Sequence, residues 1–196
     1  FTVGVPTGVQ DNFSIAGSVT YPTVSDGSLV DGRSLSGVPV EASSADTTVT
    51  DTTDANGNYT IGGLPAGDYD VTPTVSDSVE NVSTADALRA VRGFAGIDAF
   101  AGSFQEQVAD VNGSGGVNAT DALQIVRFDL GLTDGFSVGS FVTESETVVL
   151  GDSSASGVEL FAAEAGDVRL DGGETGGSSQ TLAASTLSPE QGLSAA

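Results

Sequence analysis

The first part of the chain alternates apolar and polar residues in the manner of β-strands. In "FSIAGSVTY" one face carries every second residue, namely Phe13, Ile15, Gly17, Val19 and Tyr21. The stretches "GVPVEA" and "TTVTDTT" follow as short strands, and a turn at "ANG" leads into the strands "NYTI" and "DYDVTP". Short strands joined by tight turns predict an antiparallel β-sandwich over residues 13–74.

The middle of the chain contains an internal duplication with helical periodicity. The segments 83–97 ("STADALRAVRGFAGI") and 118–132 ("NATDALQIVRFDLGL") align at an offset of 35 residues. Each has a Ser or Asn that can cap a helix, apolar residues at helical spacing and a closing Gly. Because neither helix is stable by itself, we expect the two to pack together, with Leu88 and Leu123 in their core. The predicted contact joins the Leu88/Val91 face to the Leu123/Val126 face.

Three further segments flank these two units. Residues 133–171 return to the alternation of strands, and residues 172–196 have the Gly/Ser-rich composition of a linker or tail. Residues 1–12 form an N-terminal extension or a donor strand. Strand addition to a neighbouring subunit is one way in which either end of the chain would become ordered.

The sequence "DVNGSGGVNATD" (110–121) has the spacing of a twelve-residue calcium loop. Ca²⁺ takes about six to eight oxygen ligands at ~2.3–2.6 Å, presented by alternate positions of a tight loop. The candidate ligands are Asp110, Asn112, Ser114, the Gly116 carbonyl, Asn118 and Asp121. Gly115 permits the sharp turn, and Asp121 belongs to the first turn of the following helix. The alternative is a polar turn with a capping Asp, but the helix behind the loop and its duplicate favour calcium.

The first copy of this loop is degenerate. Counting back from Asp86 gives "VSDSVENVSTAD" (75–86), in which Val75 and Val79 stand where oxygen ligands belong. The remaining candidate ligands are Asp77, Glu80, the Asn81 carbonyl, Ser83 and Asp86. This loop either holds an ion or is closed by hydrogen bonds without one. Further along, Asp167, Asp171 and Glu174 form either turns, the favoured interpretation, or another cation site.

The strand-rich part resembles a known family. The series "IAGSVTY", "LSGVPVEA" and "DTTDANGNYTIGGLPAGDYDVTP" is similar to the prealbumin-like sandwich domains known as carboxypeptidase regulatory-like or collagen-adhesin B-type repeats. The resemblance covers residues 13–73 and implies a stalk, spacer or surface module without catalytic activity. Some members of the family carry a Lys–Asn isopeptide cross-link, which this chain cannot form because it contains no lysine.

Two helices, each entered through such a loop, resemble a dockerin. The run "DVNGSGGVNATDALQIVR" is similar to the second repeat of that family, and the resemblance covers residues 75–132. It implies two calcium loops and a helical face that binds a cohesin module. The recognition positions of the family correspond here to Ala87 and Leu88 or to Ala122 and Leu123. In dockerin proteins a small β-sandwich often precedes the repeat pair, which is the order in this chain.

Missing residue types restrict the chemistry. The chain contains no His, Cys or Lys, so the usual general base, thiolate nucleophile and Schiff-base amine are all absent. A hydrolase that uses only carboxylates remains an alternative, although no clustered acids accompany an aromatic sugar platform. Because disulfides are excluded, a bound metal is the natural means of stabilising small modules outside the cell.

The formal net charge of −22 argues against nucleic acids and anionic membranes as partners. A solubilising surface adapted to high salt and the binding of cations both account for this charge. No apolar run reaches the length of a membrane span, and no signal peptide is expected at Phe1.

These patterns predict a mainly β protein with a small α part: a prealbumin-like sandwich, a dockerin-like pair of calcium loop–helix repeats, and a strand-rich C-terminal segment. The predicted function is that of a secreted, non-catalytic assembly protein at the cell surface or outside the cell, stabilised by Ca²⁺. Its expected partners are identical subunits, as in a filament, or a separate cohesin-like module. In the second case the chain would be the docking part of a larger secreted polysaccharide-degrading or adhesive protein.

Overall fold

The computed structural model describes residues 12–173, in which nine strands, three helices and one 3-10 turn occur. The strands are β1 Phe13–Ser25, β2 Ser28–Ser34, β3 Pro39–Ser43, β4 Thr48–Thr52, β5 Asn58–Leu64, β6 Gly67–Pro73, β7 Phe141–Thr143, β8 Glu146–Leu150 and β9 Ala155–Glu164. The helices are α1 Thr84–Phe94, α2 Ser103–Ala109 and α3 Ala119–Asp129, and the 3-10 turn is Asp171–Gly173. The predicted mainly β class is confirmed. The predicted donor strand, apart from its last residue, and residues 174–196 of the predicted tail lie outside the described residues.

The strands form two sheets. One sheet has the order β2-β1-β9-β7, and β5 also pairs with β1. The thirteen-residue strand β1 is long enough for β5 and β2 to share one of its edges, while β9 runs parallel to it along the other edge. The second sheet has the order β4-β3-β6-β8. The C-terminal strands β8 and β9 are therefore built into the same two sheets as the strands that precede the helices.

The sandwich core follows the alternation predicted from the sequence. Ile15, Val19 and Tyr21 are fully buried on the inner face of β1. Gly17 lies between them, where a Cβ atom would collide with the carbonyl oxygen of Val158 on the neighbouring strand. The second sheet contributes the inward-facing residues Val40, Ala42, Tyr69, Val71 and Leu150. A half-buried pleated surface on each sheet therefore accounts for the period-2 pattern.

Helices α1 and α3 pack against each other, as the duplication predicts, but through different side chains. The residues buried in their contact are Ala87, Ala90, Ala122 and Ile125. Leu88 and Leu123 are 58% and 56% exposed, so the prediction that they form the core is wrong. Val91 is also exposed, whereas Val126 is half-buried.

The reason for this error lies at the start of each helix. Asp86 and Asp121 are fully buried capping residues, so the stripe that faces inward must include them. On a helix the residue four positions later shares that face, which places Ala90 and Ile125 inside. Alanine allows close approach of the two helices, and the leucines are thereby turned towards solvent.

The short helix α2 was not predicted from the sequence. Its Phe104 packs in the sandwich core against Phe161, with ring centroids 5.8 Å apart, while its Ala109 belongs to the helical core. The helix therefore joins the two cores. None of the helices within residues 12–173 is long and apolar enough to cross a membrane.

A second connection is made by residues 164–172, which we call the junction segment. Val168 is buried in the helical core, whereas Leu170, two residues later, is buried in the sandwich core. The buried side chain of Gln105 on α2 donates from Nε2 to the carbonyl oxygen of Val168 at 2.6 Å. The helical part is thus attached to the sandwich through its own packing and through a hydrogen bond to the junction segment.

Candidate calcium loop and its degenerate copy

The predicted calcium loop lies between two helices. Asp110 directly follows α2, and Asn118 caps α3 by accepting a hydrogen bond on Oδ1 from the N–H of Thr120 at 2.8 Å. Gly113 and Gly115 have φ values of +68° and +87°, in the region that favours glycine. These two glycines bend residues 110–121 into the tight loop that the sequence pattern requires.

The first carboxylate of the loop folds the chain around itself. Asp110 Oδ2 accepts a hydrogen bond from the N–H of Gly115 at 2.7 Å, and its Oδ1 accepts one from the N–H of Ser114 at 3.0 Å. The residue is only 9% exposed. The carboxylate at loop position 1 is therefore held against the backbone of positions 5 and 6.

The last carboxylate closes the loop from the opposite side. Asp121 is fully buried, and it accepts hydrogen bonds from the N–H groups of Asn112 at 3.3 Å and Asn118 at 2.9 Å. Its position in the first turn of α3 also lets the helix dipole favour the negative charge. The two ends of the loop are therefore tied to a single carboxylate.

The oxygen atoms of the middle positions lie beside these carboxylates. Ser114 Oγ is 3.4 Å from Asp110 Oδ1 and 3.2 Å from the carbonyl oxygen of Gly116. The side-chain amide of Asn118 is 3.2 Å from the same carbonyl oxygen, and Asn112 Oδ1 is 2.8 Å from the backbone N of Ser114. All six predicted ligand residues of this loop are thus brought together in one network of contacts.

The two carboxylates of the loop have no ion-pair partner within the described residues. Asp110 and Asp121 are both buried, and the ion pairs found within residues 12–173 join other residues, Arg92 to Asp98 and Arg169 to Asp171. Backbone N–H groups offset part of the cost of burying a carboxylate, but they carry no net charge. A positive ion among these oxygens would offset the remainder.

The chemistry of the loop fits calcium better than it fits a transition metal. The candidate ligands are oxygen atoms of carboxylates, amides, a hydroxyl and a carbonyl, which hard cations prefer. Within residues 12–173 no group of three or more His, Cys, Asp or Glu side chains is placed to hold a metal. The loop contributes two carboxylates, so neutral oxygens would have to complete the coordination of an ion.

The first loop is closed by a carboxylate from another part of the chain. Glu164, at the end of β9, is 3% exposed and accepts hydrogen bonds from the N–H groups of Glu80 and Asn81 at 2.9 and 2.7 Å. It also accepts one from Asn81 Nδ2 at 2.7 Å. These three hydrogen bonds tie residues 80 and 81 of the first loop to the end of β9.

The other predicted ligands of the first loop have separate partners. Asp86 Oδ2 accepts hydrogen bonds from Ser83 N and Oγ at 3.0 and 2.8 Å, and its Oδ1 accepts one from the N–H of Arg169 at 2.9 Å. Asp77 accepts a hydrogen bond from the N–H of its neighbour Ser78, and Ser78 Oγ donates to Glu80. Asp86 therefore links Ser83 to the junction segment, whereas Asp77 is bonded to its neighbour Ser78.

A buried acidic group stands where the junction segment meets the sandwich. Asp167 is fully buried and accepts a hydrogen bond from Tyr21 Oη at 2.5 Å and one from the N–H of Gly172 at 3.1 Å. Burial raises the pKa of Asp167 well above its usual value, against the opposing effect of the Tyr21 hydrogen bond, and the charge of Asp86 raises it further. Burial also raises the pKa of Asp86. Asp167 and Asp171 lie in the turn region that the sequence favoured, and Glu174 lies outside the described residues.

Sequence analysis missed several residues that organise this region. Glu164 gave no signal because it belongs to a strand far from the loop that it closes. Tyr21 was assigned to the core, where it lies, but its hydroxyl also bridges Asp167 and the N–H of Glu164. Long-range side-chain contacts of this kind leave no periodic trace in a single sequence.

No protein-family model matches this chain, and no curated protein matches its sequence. The resemblances to a dockerin and to a prealbumin-like sandwich therefore depend on the motifs themselves.

Proposed function

We propose that this chain is a calcium-stabilised, non-catalytic assembly module that works at the cell surface or outside the cell. The observation that supports this most directly is the pair of buried carboxylates, Asp110 and Asp121, in a glycine-bent loop that has no charged partner within residues 12–173. A bound Ca²⁺ would balance their charge and hold α3 against α1. Because disulfides cannot form, ion binding would supply the stability that small secreted modules otherwise obtain from them.

The number of carboxylates in the loop agrees with a calcium site of modest affinity. Two carboxylates in the loop place the expected Kd near the extracellular range of about 10⁻⁴ to 10⁻³ M. Calcium at such concentrations would occupy the loop outside cells rather than in a cytosol, which supports the proposed location. The acidic surface would in addition keep the chain soluble. Salt would screen the repulsion between its negative charges, which otherwise destabilises the folded state.

Assembly with identical subunits is the first form of association that we propose. The edge strand β8 pairs with β6 on one side only, and its Val149 is 70% exposed. An exposed edge strand with an apolar side chain is a surface on which a second chain can add a strand. This would allow a repeating filament.

A cohesin-like partner is the second candidate, and the orientation of the helices favours it. Leu88 and Leu123 occupy equivalent positions of the duplicated helices and are both more than half exposed. They are two of the recognition positions implied by the dockerin resemblance. A helical pair that presents matched leucines to solvent would bind a partner through either repeat.

Calorimetric titration with calcium tests the shared basis of both forms. We expect binding heat from the full chain and none from the Asp110→Asn/Asp121→Asn double variant, with folding of that variant checked by circular dichroism. The matched control is Asp152→Asn, in an exposed turn, which should keep the wild-type heat. Equal heats from all three proteins would refute the calcium loop.

The two forms of association differ in what they do in isolation. Sizing and electron microscopy of the purified chain with calcium should show oligomers or fibres if identical subunits assemble. A chain that stays monomeric at high concentration, and that binds cohesin modules in a calcium-dependent manner, would instead support the docking role.

A further inference from the structure

The asparagines of this chain occur almost entirely in one sequence context. Five of the six asparagines are followed by any residue and then by Ser or Thr: Asn12, Asn58, Asn81, Asn112 and Asn118. The chain has 24 serines and 20 threonines among 196 residues, less than a quarter, so chance would give one or two such sites. Asn-x-Ser/Thr is the acceptor sequence for N-linked glycans in secreted proteins.

Three of these asparagines are committed to the folding of the loops. Asn81 donates through Nδ2 to the buried Glu164 at 2.7 Å, and Asn118 Nδ2 lies 3.2 Å from the carbonyl of Gly116 while its Oδ1 caps α3. Asn112 accepts the N–H of Ser114 within the candidate calcium loop. A sugar on Asn81 or Asn118 would displace a hydrogen bond of Nδ2 that helps to close a loop, and Asn112 is half-buried in the candidate calcium loop, where a sugar would interfere with its closure.

Asn58 closes a turn through its backbone rather than through its side chain, since its N–H donates to Asp54 Oδ1 at 2.9 Å and its carbonyl oxygen accepts from the N–H of Asp54 at 2.8 Å. It is exposed at the start of the edge strand β5, and its Nδ2 is 3.5 Å from Asp54 Oδ2, at the outer limit of a hydrogen bond. Its backbone pairs with Ser18, while the hydroxyl-bearing residue of the site, Thr60, is exposed and pairs with Ala16. Asn12 is exposed as well, but it adjoins residues outside the described part of the chain.

The surface around Asn58 has room for a sugar. A shallow depression of about 360 Å³ lies beside it, and Ala16, Ser18 and Thr60 contribute to its lining. These three side chains are small, and Glu159, which also lines the depression, is exposed, so a sugar attached to Nδ2 could lie over the outer face of the sheet. A bulky group here would also protect the free edge of β5 from pairing with other chains.

We propose that Asn58 carries an N-linked glycan, an inference that depends on the secretion included in the proposed function. The donor would be a lipid-linked oligosaccharide phosphate, and a glycosyltransferase would supply the base. Asn58 Nδ2 forms a bond to C1 of the first sugar as the bond from C1 to the phosphate oxygen breaks. The lipid phosphate leaves with the electron pair, and one amide proton passes to the base.

The test is peptide mapping by mass spectrometry of the full chain secreted from cells that perform N-linked glycosylation. Treatment with a glycan-releasing amidase in heavy-oxygen water marks each occupied asparagine as a labelled aspartate. We expect the label at Asn58 in the wild type and in Thr60→Ser, its absence in Thr60→Ala, and bare Asn112 and Asn118 in the folded protein. Thr60 is exposed, and its hydrogen bond to Asp51 Oδ2 at 2.7 Å is donated by the backbone N–H, which alanine retains, so Thr60→Ala should fold normally.

Two results would overturn the proposal: an unmodified Asn58 in the folded wild type, or equal occupancy of Asn58, Asn112 and Asn118. Calcium titration of the same secreted protein is independent of these results. An unmodified Asn58 in a chain that binds calcium would refute the glycan proposal and leave the proposed function supported. A glycan at Asn58 in a chain that does not bind calcium would support the glycan proposal and refute calcium stabilisation.

Discussion

The dependence of folding stability on calcium is the sharpest quantity that follows from the loop geometry. At a calcium concentration 100 times Kd, an ion that binds only the folded chain raises the free energy of unfolding by about 2.7 kcal/mol. We therefore expect the wild type to gain about this amount between calcium-free buffer and saturating calcium. The gain should be measured at constant ionic strength, because screening of the net charge of −22 also stabilises the chain.

Asp110→Asn should abolish most of this gain. Removal of one partner from a buried pair of opposite charges costs about 3–5 kcal/mol, so a 100-fold loss of calcium affinity, about 2.7 kcal/mol, is a conservative expectation. At the same calcium concentration the ion would then be near its Kd, and RT ln 2 leaves a gain of only about 0.4 kcal/mol. In calcium-free buffer two effects on the unfolding free energy of the variant oppose each other: it no longer buries an unbalanced charge, but its amide nitrogen cannot accept one of the backbone hydrogen bonds that Asp110 accepts from Ser114 and Gly115.

Urea unfolding followed by circular dichroism measures these gains for the wild type, Asp110→Asn and the surface control Asp152→Asn. The difference between the two calcium conditions, rather than the absolute stability, is the quantity to compare. The control should retain the full gain. If Asp110→Asn gained as much from calcium as the wild type, the ion would bind elsewhere and the argument from the buried carboxylates would fail.

Three further results are expected. Gly115→Ala should lower the free energy of unfolding by about 1–2 kcal/mol in a urea titration, because φ is +87° at this position. The control Gly116→Ala should lower it less, because Gly116 has no positive φ and open space around it. Equal losses in the two variants would contradict the turn assignment. Leu88→Asp combined with Leu123→Asp should change stability by less than about 0.5 kcal/mol per site and yet remove binding to a cohesin-like partner in a pull-down, and a large loss of stability would instead return these leucines to the core. Burial raises the pKa of Asp167 in the folded chain above its value in the unfolded chain, which is about 3.9. The contribution of this group to the free energy of unfolding is therefore fully present below pH about 3.9 and is lost as pH rises from there through the folded pKa. Urea titrations in calcium-free buffer across this range should therefore show a steeper decline with rising pH for the wild type than for Asp167→Asn, and parallel curves would exclude Asp167 as the cause.

The parts of the fold that were predictable are those with a local or periodic signal. The inner face of β1 follows from its alternation, and the contact between α1 and α3 follows from the duplication. The turn at residues 110–121 and the start of α3 behind it were predictable as well, because Gly115 and the capping Asn118 give local signals, while calcium binding by this loop stays a prediction.

The errors and omissions have physical causes as well. Hydrophobicity by itself placed Leu88 and Leu123 in the core, whereas two buried capping carboxylates decide which face of each helix is turned inward. The role of Glu164 depends on a strand that returns to the first loop across more than eighty residues. Pairings of that range are set by the tertiary fold and are invisible to local pattern.

The carboxylate of Glu164 gives the two repeats unequal sensitivity to their surroundings. In the first repeat the chain itself supplies the carboxylate that closes the loop, whereas under the proposed function the second repeat would depend on an ion whose concentration can change. Removal of that ion would therefore destabilise α3 while α1 stays packed beside the sheets. The helical part would then unfold locally, one repeat before the other, rather than in a single cooperative step. Such asymmetry would let α3 order and disorder reversibly with calcium while α1 and the β-sandwich stay folded.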